Sequence, residues 1–173
     1  MTAARRTLDA INGLSEADFV AAFGDIAEHS PWVARVAAAA RPFTDRAAMI
    51  AAFVSAVGAA TEEAKRALLL AHPDLAGRAA LAGALAPESA SEQAGAGLDR
   101  LSAEEFARFH RLNDAYRARH GIPFIFAVRG ATKHQILAAF EARLGNDPTV
   151  EFETALAQVG RIIRFRIEDR VAE

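Results

Sequence analysis

An all-α, single-domain bundle of about seven to nine helices with one extended connection is the fold that this chain of 173 residues predicts. Three observations carry that expectation. Helix-opening residues, serine, threonine or aspartate ahead of an apolar run, recur along nearly the whole length. The apolar content is 52% and is led by alanine, the strongest helix former. One apolar run, inside YRARHGIPFIFAVRG (Tyr116–Gly130), breaks the pattern with Gly121 ahead of it and Pro123 within it.

Taken in order, Ser15 opens a helix through His29, and Ser30-Pro31 supplies a cap and a first-turn proline for the next. Thr44 and Thr61 open two more. The second ends near Ala71-His72-Pro73, because a residue ahead of proline is pushed out of the α region. Asp74 caps a short helix reaching Ala86, and Gly83 to Gly97 is the loosest stretch. Ser102 with Glu105 forms a capping box for a helix that stops at Gly121; Thr132 with Gln135 does the same for one ending at Gly145. Asp147-Pro148 opens a long C-terminal helix. Ile122 to Arg129 is the extended connection. No repeat or long linker divides the chain, so residues 1–173 are read as one domain.

A formal net charge of -2 gives no global pull toward nucleic acid or an anionic membrane. The chain has no cysteine, which excludes disulfides, thiolate zinc sites and thiol nucleophiles. The longest uncharged apolar segment, Ala47 to Ala60, is too short for a bilayer and reads as a core helix. Asp9, Asn12 and Glu16 interrupt the N-terminal region where a signal peptide needs apolar residues. The expectation is a soluble, unprocessed, cytoplasmic protein.

The five histidines form neither H-E-x-x-H nor E-x-x-H, and there is no G-x-S-x-G elbow and no glycine-rich phosphate loop. An enzyme built on this chain is therefore expected to work without metal or nucleotide. Pro73 makes the His72 imidazole leave its helix at the C-terminal end, where a protonated ring is favoured. That residue either terminates the helix against a carbonyl or works as an acid. Ser89 and Glu92 have capping-box spacing, and with Gln93 they offer a hydroxyl, a carboxylate and an amide within one turn. They either cap a helix or grip an amide-like ligand.

On the C-terminal helix, Phe152, Leu156, Val159 and Ile163 define an apolar stripe that Arg166 continues, whereas Arg161 and Arg164 fall outside it. Such an arginine snorkels, pairs with a carboxylate or meets a ligand anion. Asn113 and Tyr116 lead into the extended connection, whose backbone groups need partners that no strand supplies. Side chains and water can satisfy them, and so can a planar, amide-rich small molecule.

HPDLAGRAA from His72, SASEQAGAGL from Ser89, LSAEEFARFHRLNDAYRARHGIPFIFAVRG from Leu101 and the late Arg166-Ile167 occur in an order that resembles the OHCU decarboxylase family. The resemblance runs from about Leu14 to Val171. It implies an all-helical, cofactor-independent enzyme, usually a homodimer, acting on a ureidoimidazoline small molecule. The reaction implied is decarboxylation of 2-oxo-4-hydroxy-4-carboxy-5-ureidoimidazoline, the last step of urate breakdown to (S)-allantoin.

Carried over motif by motif, His72 takes the place of the catalytic proton donor and Pro73 that of a substrate contact. Ser89, Ala90, Ser91, Glu92 and Gln93 match the substrate-binding turn, with Glu92 implicated in catalysis. Phe124, Ile125, Phe126, Ala127 and Val128 match the segment whose backbone reads the substrate, and Arg166 the arginine of the site. His120 stands where the family commonly has phenylalanine. A different class of reading is a non-catalytic helical protein that binds a small ligand on the same fold. A third is a nucleic-acid module using the C-terminal arginines, which Glu168 and Asp169 dilute.

Overall fold

The computed structural model describes residues 4–173, with the side chains of Arg78 and Ala79 outside the description. Among the described residues the elements are helices, in the order α1 (Leu8–Asn12), α2 (Glu16–Phe23), α3 (Pro31–Ala38), α4 (Arg46–Gly58), α5 (Glu62–Ala71), α6 (Arg78–Leu81), α7 (Pro87–Gly95), α8 (Ala103–His120), α9 (Lys133–Leu144) and α10 (Pro148–Arg170). The all-α expectation is met, with two short helices, α1 and α6, beside eight longer ones. Among the described residues no single helix is long and apolar enough to cross a membrane.

Capping chemistry explains most boundaries. Both expected capping boxes form, Ser102 with Glu105 and Thr132 with Gln135. α8 ends at Gly121, whose φ of 68° is the left-handed conformation that glycine adopts without a Cβ penalty. Thr61 accepts from the Ala64 N–H, and Asp147 from that of Thr149.

Several boundaries differ from the sequence expectation. α2 stops at Phe23 rather than His29, with Gly24 as its C-cap. Asp45, not Thr44, caps α4, because its carboxylate is the group that reaches the Ala48 N–H. The Ser30 hydroxyl donates to the Glu28 carbonyl at 2.8 Å instead of capping α3. The helix expected from Asp74 to Ala86 is reduced to α6, since Ala76 sits at φ 52° and the Asp74 carboxylate is engaged by Arg117. Ser89 and Glu92 lie inside α7 instead of opening it. Pro87 starts that helix and holds the preceding Ala86 extended at ψ 147°.

Two compact units result, one comprising the chain up to Ala71 together with Gly160–Glu173, the other His72–Val159. In the first, α2 packs on α3 and α3 on α4. Its core includes Phe19, Phe23, Phe43 and Phe53, with the Phe19 ring 5.0–6.1 Å from the other three. An isolated bridge joins Arg6 to Val171. In the second, α8 packs on α9 around Phe109, Tyr116, Phe124 and Phe140. The Phe124 and Phe140 rings stack at 3.9 Å.

α10 supplies its first half to the second unit and its second half to the first. Its buried side chains are Glu151, Ala155, Val159, Ile162, Ile163, Arg166 and Ile167. The true stripe therefore begins at Glu151, and Phe152 and Leu156 flank it half-buried.

Candidate active site

His72 follows the last residue of α5 and is buried, 6% exposed. The loop it begins, through Gly77, belongs to the second unit and is tied down at Asp74, Leu75 and Ala76. The Ala76 N–H donates to Gln93 Oε1 at 3.0 Å, and Gln93 Nε2 donates to the Asp74 carbonyl at 3.3 Å. Asn113 Nδ2, on α8, donates to the Leu75 carbonyl at 2.9 Å. Arg117, one turn further on, donates from Nε to the Asp74 carboxylate at 3.0 Å. A Cβ at position 77 would lie 2.7 Å from the Asp74 Cβ, so the loop closes this tightly around glycine alone.

On α7, Ser89 and Gln93 are buried, Glu92 and the first-turn Glu88 are half-buried, and Ala90 and Ser91 are exposed. Ser89 and Gln93 are four residues apart and so share a face. Gln93 spends its amide on the His72-bearing loop. The structure thus brings that loop and α7 together through one side chain.

The segment from Ile122 to Val128 contains no helix or strand, and all its side chains except the half-buried Phe126 are buried. Its backbone is held from the side. Arg143 Nη1 donates to the Ile125 carbonyl at 2.7 Å, and the Ala127 N–H donates to Gln158 Oε1 at 3.0 Å. The Arg143 guanidinium also lies 4.5 Å from the centroid of the Phe124 ring.

Behind it sits Glu151, fully buried. Glu151 pairs with Arg143 at 2.9 Å and accepts from Asn146 Nδ2 at 2.9 Å and from the Tyr116 hydroxyl. Burial pushes the Glu151 carboxyl up, but hydrogen bonds from Arg143, Tyr116 and Asn146 and the charge of Arg143 outweigh it and hold the group below the usual carboxylate range. Burial, and then the bond to Glu151, push the Tyr116 phenol well above its ordinary value. His120 occupies an aromatic place: its ring is 4.4 Å from that of Tyr116, and its Nε2 lies 3.2 Å from the Leu144 carbonyl, which can only accept.

Arg166 belongs to the first unit. It is 3% exposed, and its Nη1 donates to Glu28 Oε2 at 3.0 Å and to the Ile26 carbonyl at 3.2 Å. Of the fates open to an arginine on an apolar stripe, pairing with a buried carboxylate is the one observed. Among the described residues no cluster of three histidine, aspartate or glutamate side chains is arranged to hold a metal ion.

Sequence reasoning did not find Glu28, Arg143, Glu151 or Gln158. For Glu151 a signal existed. It continues the Ala155–Val159 spacing backward, as Arg166 continues the stripe forward.

A family model described as OHCU decarboxylase matches residues 12–168. The chain is 43% identical over 164 residues to the 2-oxo-4-hydroxy-4-carboxy-5-ureidoimidazoline decarboxylase of Haloferax volcanii, covering 95% of each. It is 40% identical over 162 residues to the protein of that name from Amia calva, covering 92% of this chain and 91% of the relative. Among solved structures it is similar to an (S)-allantoin synthase at 32% identity with a TM-score of 0.77. That match covers 96% of this chain and 54% of the other, so this chain spans about half the length of that protein.

Proposed function

From the premise that the chain belongs to the OHCU decarboxylase family, we propose that His72, Glu92 and Arg166 carry out the family reaction. The chain decarboxylates 2-oxo-4-hydroxy-4-carboxy-5-ureidoimidazoline to (S)-allantoin, in the degradation of urate. The observation that supports the assignment of His72 and Glu92 is the pair of hydrogen bonds by which Gln93 accepts from the Ala76 N–H and donates to the Asp74 carbonyl, tying the His72–Pro73 loop to the helix bearing Ser89 and Glu92.

The chemistry is that of a carboxylate on a carbon next to an imine. The bond to the carboxylate breaks, carbon dioxide leaves, and the electron pair delocalises into the conjugated imidazoline ring. With the ring as the sink, the step as written uses no pyridoxal or metal. The carbon that lost carbon dioxide is left as an enol. Protonated His72 gives its proton from one face to the neighbouring former imine carbon, which bears the ureido group, and so sets the S configuration. The enol becomes a carbonyl, and its hydroxyl proton passes to the ring nitrogen. Glu92 orients the imidazole or accepts from the ureido N–H groups, and Arg166, held by Glu28, takes the substrate carboxylate or a ring oxygen. Pro73, Ser89 to Gln93 and the backbone of Phe124 to Val128 hold the rest of the substrate. The working form we propose is a cytoplasmic homodimer, for which light scattering should give twice the chain mass.

The test generates the unstable substrate from urate with upstream enzymes and follows allantoin by circular dichroism. The wild-type protein should give the optical signal of the S enantiomer. A His72→Asn variant should lose roughly 10²–10⁴-fold in rate, the usual contribution of a positioned proton donor. Racemic product at the uncatalysed rate from the wild-type protein would point instead to a ligand-binding protein.

A further inference from the structure

The Ile122–Val128 segment has no neighbouring strand among the described residues, yet two side chains bond it as a strand would. In a parallel ladder, one residue of a neighbour donates to the carbonyl of residue j−1 and accepts from the N–H of residue j+1. Here Arg143 from α9 donates to the carbonyl of Ile125, and Gln158 from α10 accepts from the N–H of Ala127. Those are the two groups flanking Phe126. In extended chain, alternate residues turn their peptide groups to opposite edges. Bracing Ile125 and Ala127 therefore turns the N–H and C=O of Phe126 away from both braces.

We propose that Arg143 and Gln158 are positioning residues for the reaction: together they hold the strip so that the Phe126 peptide edge faces the substrate. This rests on the reading of Phe124–Val128 as the substrate-contacting segment. Two features separate the arrangement from ordinary loop packing. Arg143 is held on both sides, by the buried Glu151 carboxylate and by the Phe124 ring, so its fork has little freedom to leave the Ile125 carbonyl. The two braces also come from different helices and meet the strip two residues apart, which fixes direction as well as place. Glu151, Tyr116 and Asn146 hold the brace rather than the strip.

The test compares Gln158→Leu, which removes the acceptor, with Gln158→Glu, which keeps one. Beside them goes the double variant Arg143→Met with Glu151→Gln, which leaves no lone buried charge. For Gln158→Leu and for the double variant, KM should rise about five-fold or more while kcat stays within about two-fold, since what is lost is uniform substrate binding. Gln158→Glu should restore KM.

Backbone amide NMR with (S)-allantoin as the probe separates this proposal from the reading beneath it. In the wild-type protein, the Phe126 amide should shift on addition of allantoin, and in Gln158→Leu that shift should weaken. A strip that stays silent in the wild type removes the substrate-contact reading and the proposal together. A strip that responds, with KM unchanged in a folded Gln158→Leu variant, overturns the bracing alone. If the double variant fails to fold, the Gln158 pair decides.

Discussion

Two irregular segments of the same unit, the His72–Gly77 loop and the Ile122–Val128 strip, meet one need by different chemistry. Each leaves the helices and exposes backbone polar groups that must be bonded. The loop is held by neutral amides, Gln93 and Asn113, and by an ion pair at the surface, Arg117 with Asp74, whose side chains are 41% and 27% exposed. The strip is held by one neutral amide, Gln158, and by an arginine whose counter-charge, Glu151, is fully buried. Amides bond without a net charge to desolvate, so such a tie loosens gradually. A buried ion pair is close to all-or-none, because either member left alone is a charge without water. The loop bears the proposed proton donor and the strip the proposed recognition edge.

The contrast can be broken most forcefully at Glu151. Glu151→Ala strands Arg143 behind the strip and should cost about 3–5 kcal/mol of stability, read by urea unfolding. A loss no larger than that of a surface carboxylate would show that the two segments are held alike. Next comes Gln93→Ala, which leaves the Ala76 N–H and the Asp74 carbonyl unbonded and should cost about 1–3 kcal/mol. Its mark should be a lowered kcat with the fold intact, because the loop bears His72.

Acid sharpens the same comparison. Glu151 is depressed in the folded protein, so its contribution is present above the unfolded glutamate value of about 4.3 and is lost as pH falls through the lower folded value. Stability measured downward from that point should fall more steeply in the wild type than in Glu151→Gln. Equal slopes would remove Glu151 from the account. Smallest of all, Arg117→Ala should cost no more than about 1 kcal/mol, since the pair with Asp74 is solvent-screened. Raising the salt concentration should shrink that cost further.

Legibility followed the range of each interaction. The capping boxes at Ser102 and Thr132, the stop at Gly121 and the proline start of α10 depend on groups within four residues, and all were readable. Ser89 with Glu92 shows the limit of that rule, because the same spacing also fits a helix interior and Pro87 decides where α7 begins. Burial of Arg166 was readable from helical spacing, but its partner Glu28, 138 residues away, was not. The strip was recognisable as non-helical from Gly121 and Pro123, whereas its braces, 18 and 31 residues further along, left no mark near it.

By itself, then, the amino-acid order determined the all-helical class, the boundaries set by a local cap, glycine stop or proline start, and the ordered motifs that place the chain in its family. Folding in three dimensions decided which carbonyl a guanidinium meets, which amide holds a loop and which carboxylate goes dry. The physical reason is that caps and stripes are set by geometry within a few residues, while a hydrogen bond between distant positions depends on helices that must first pack.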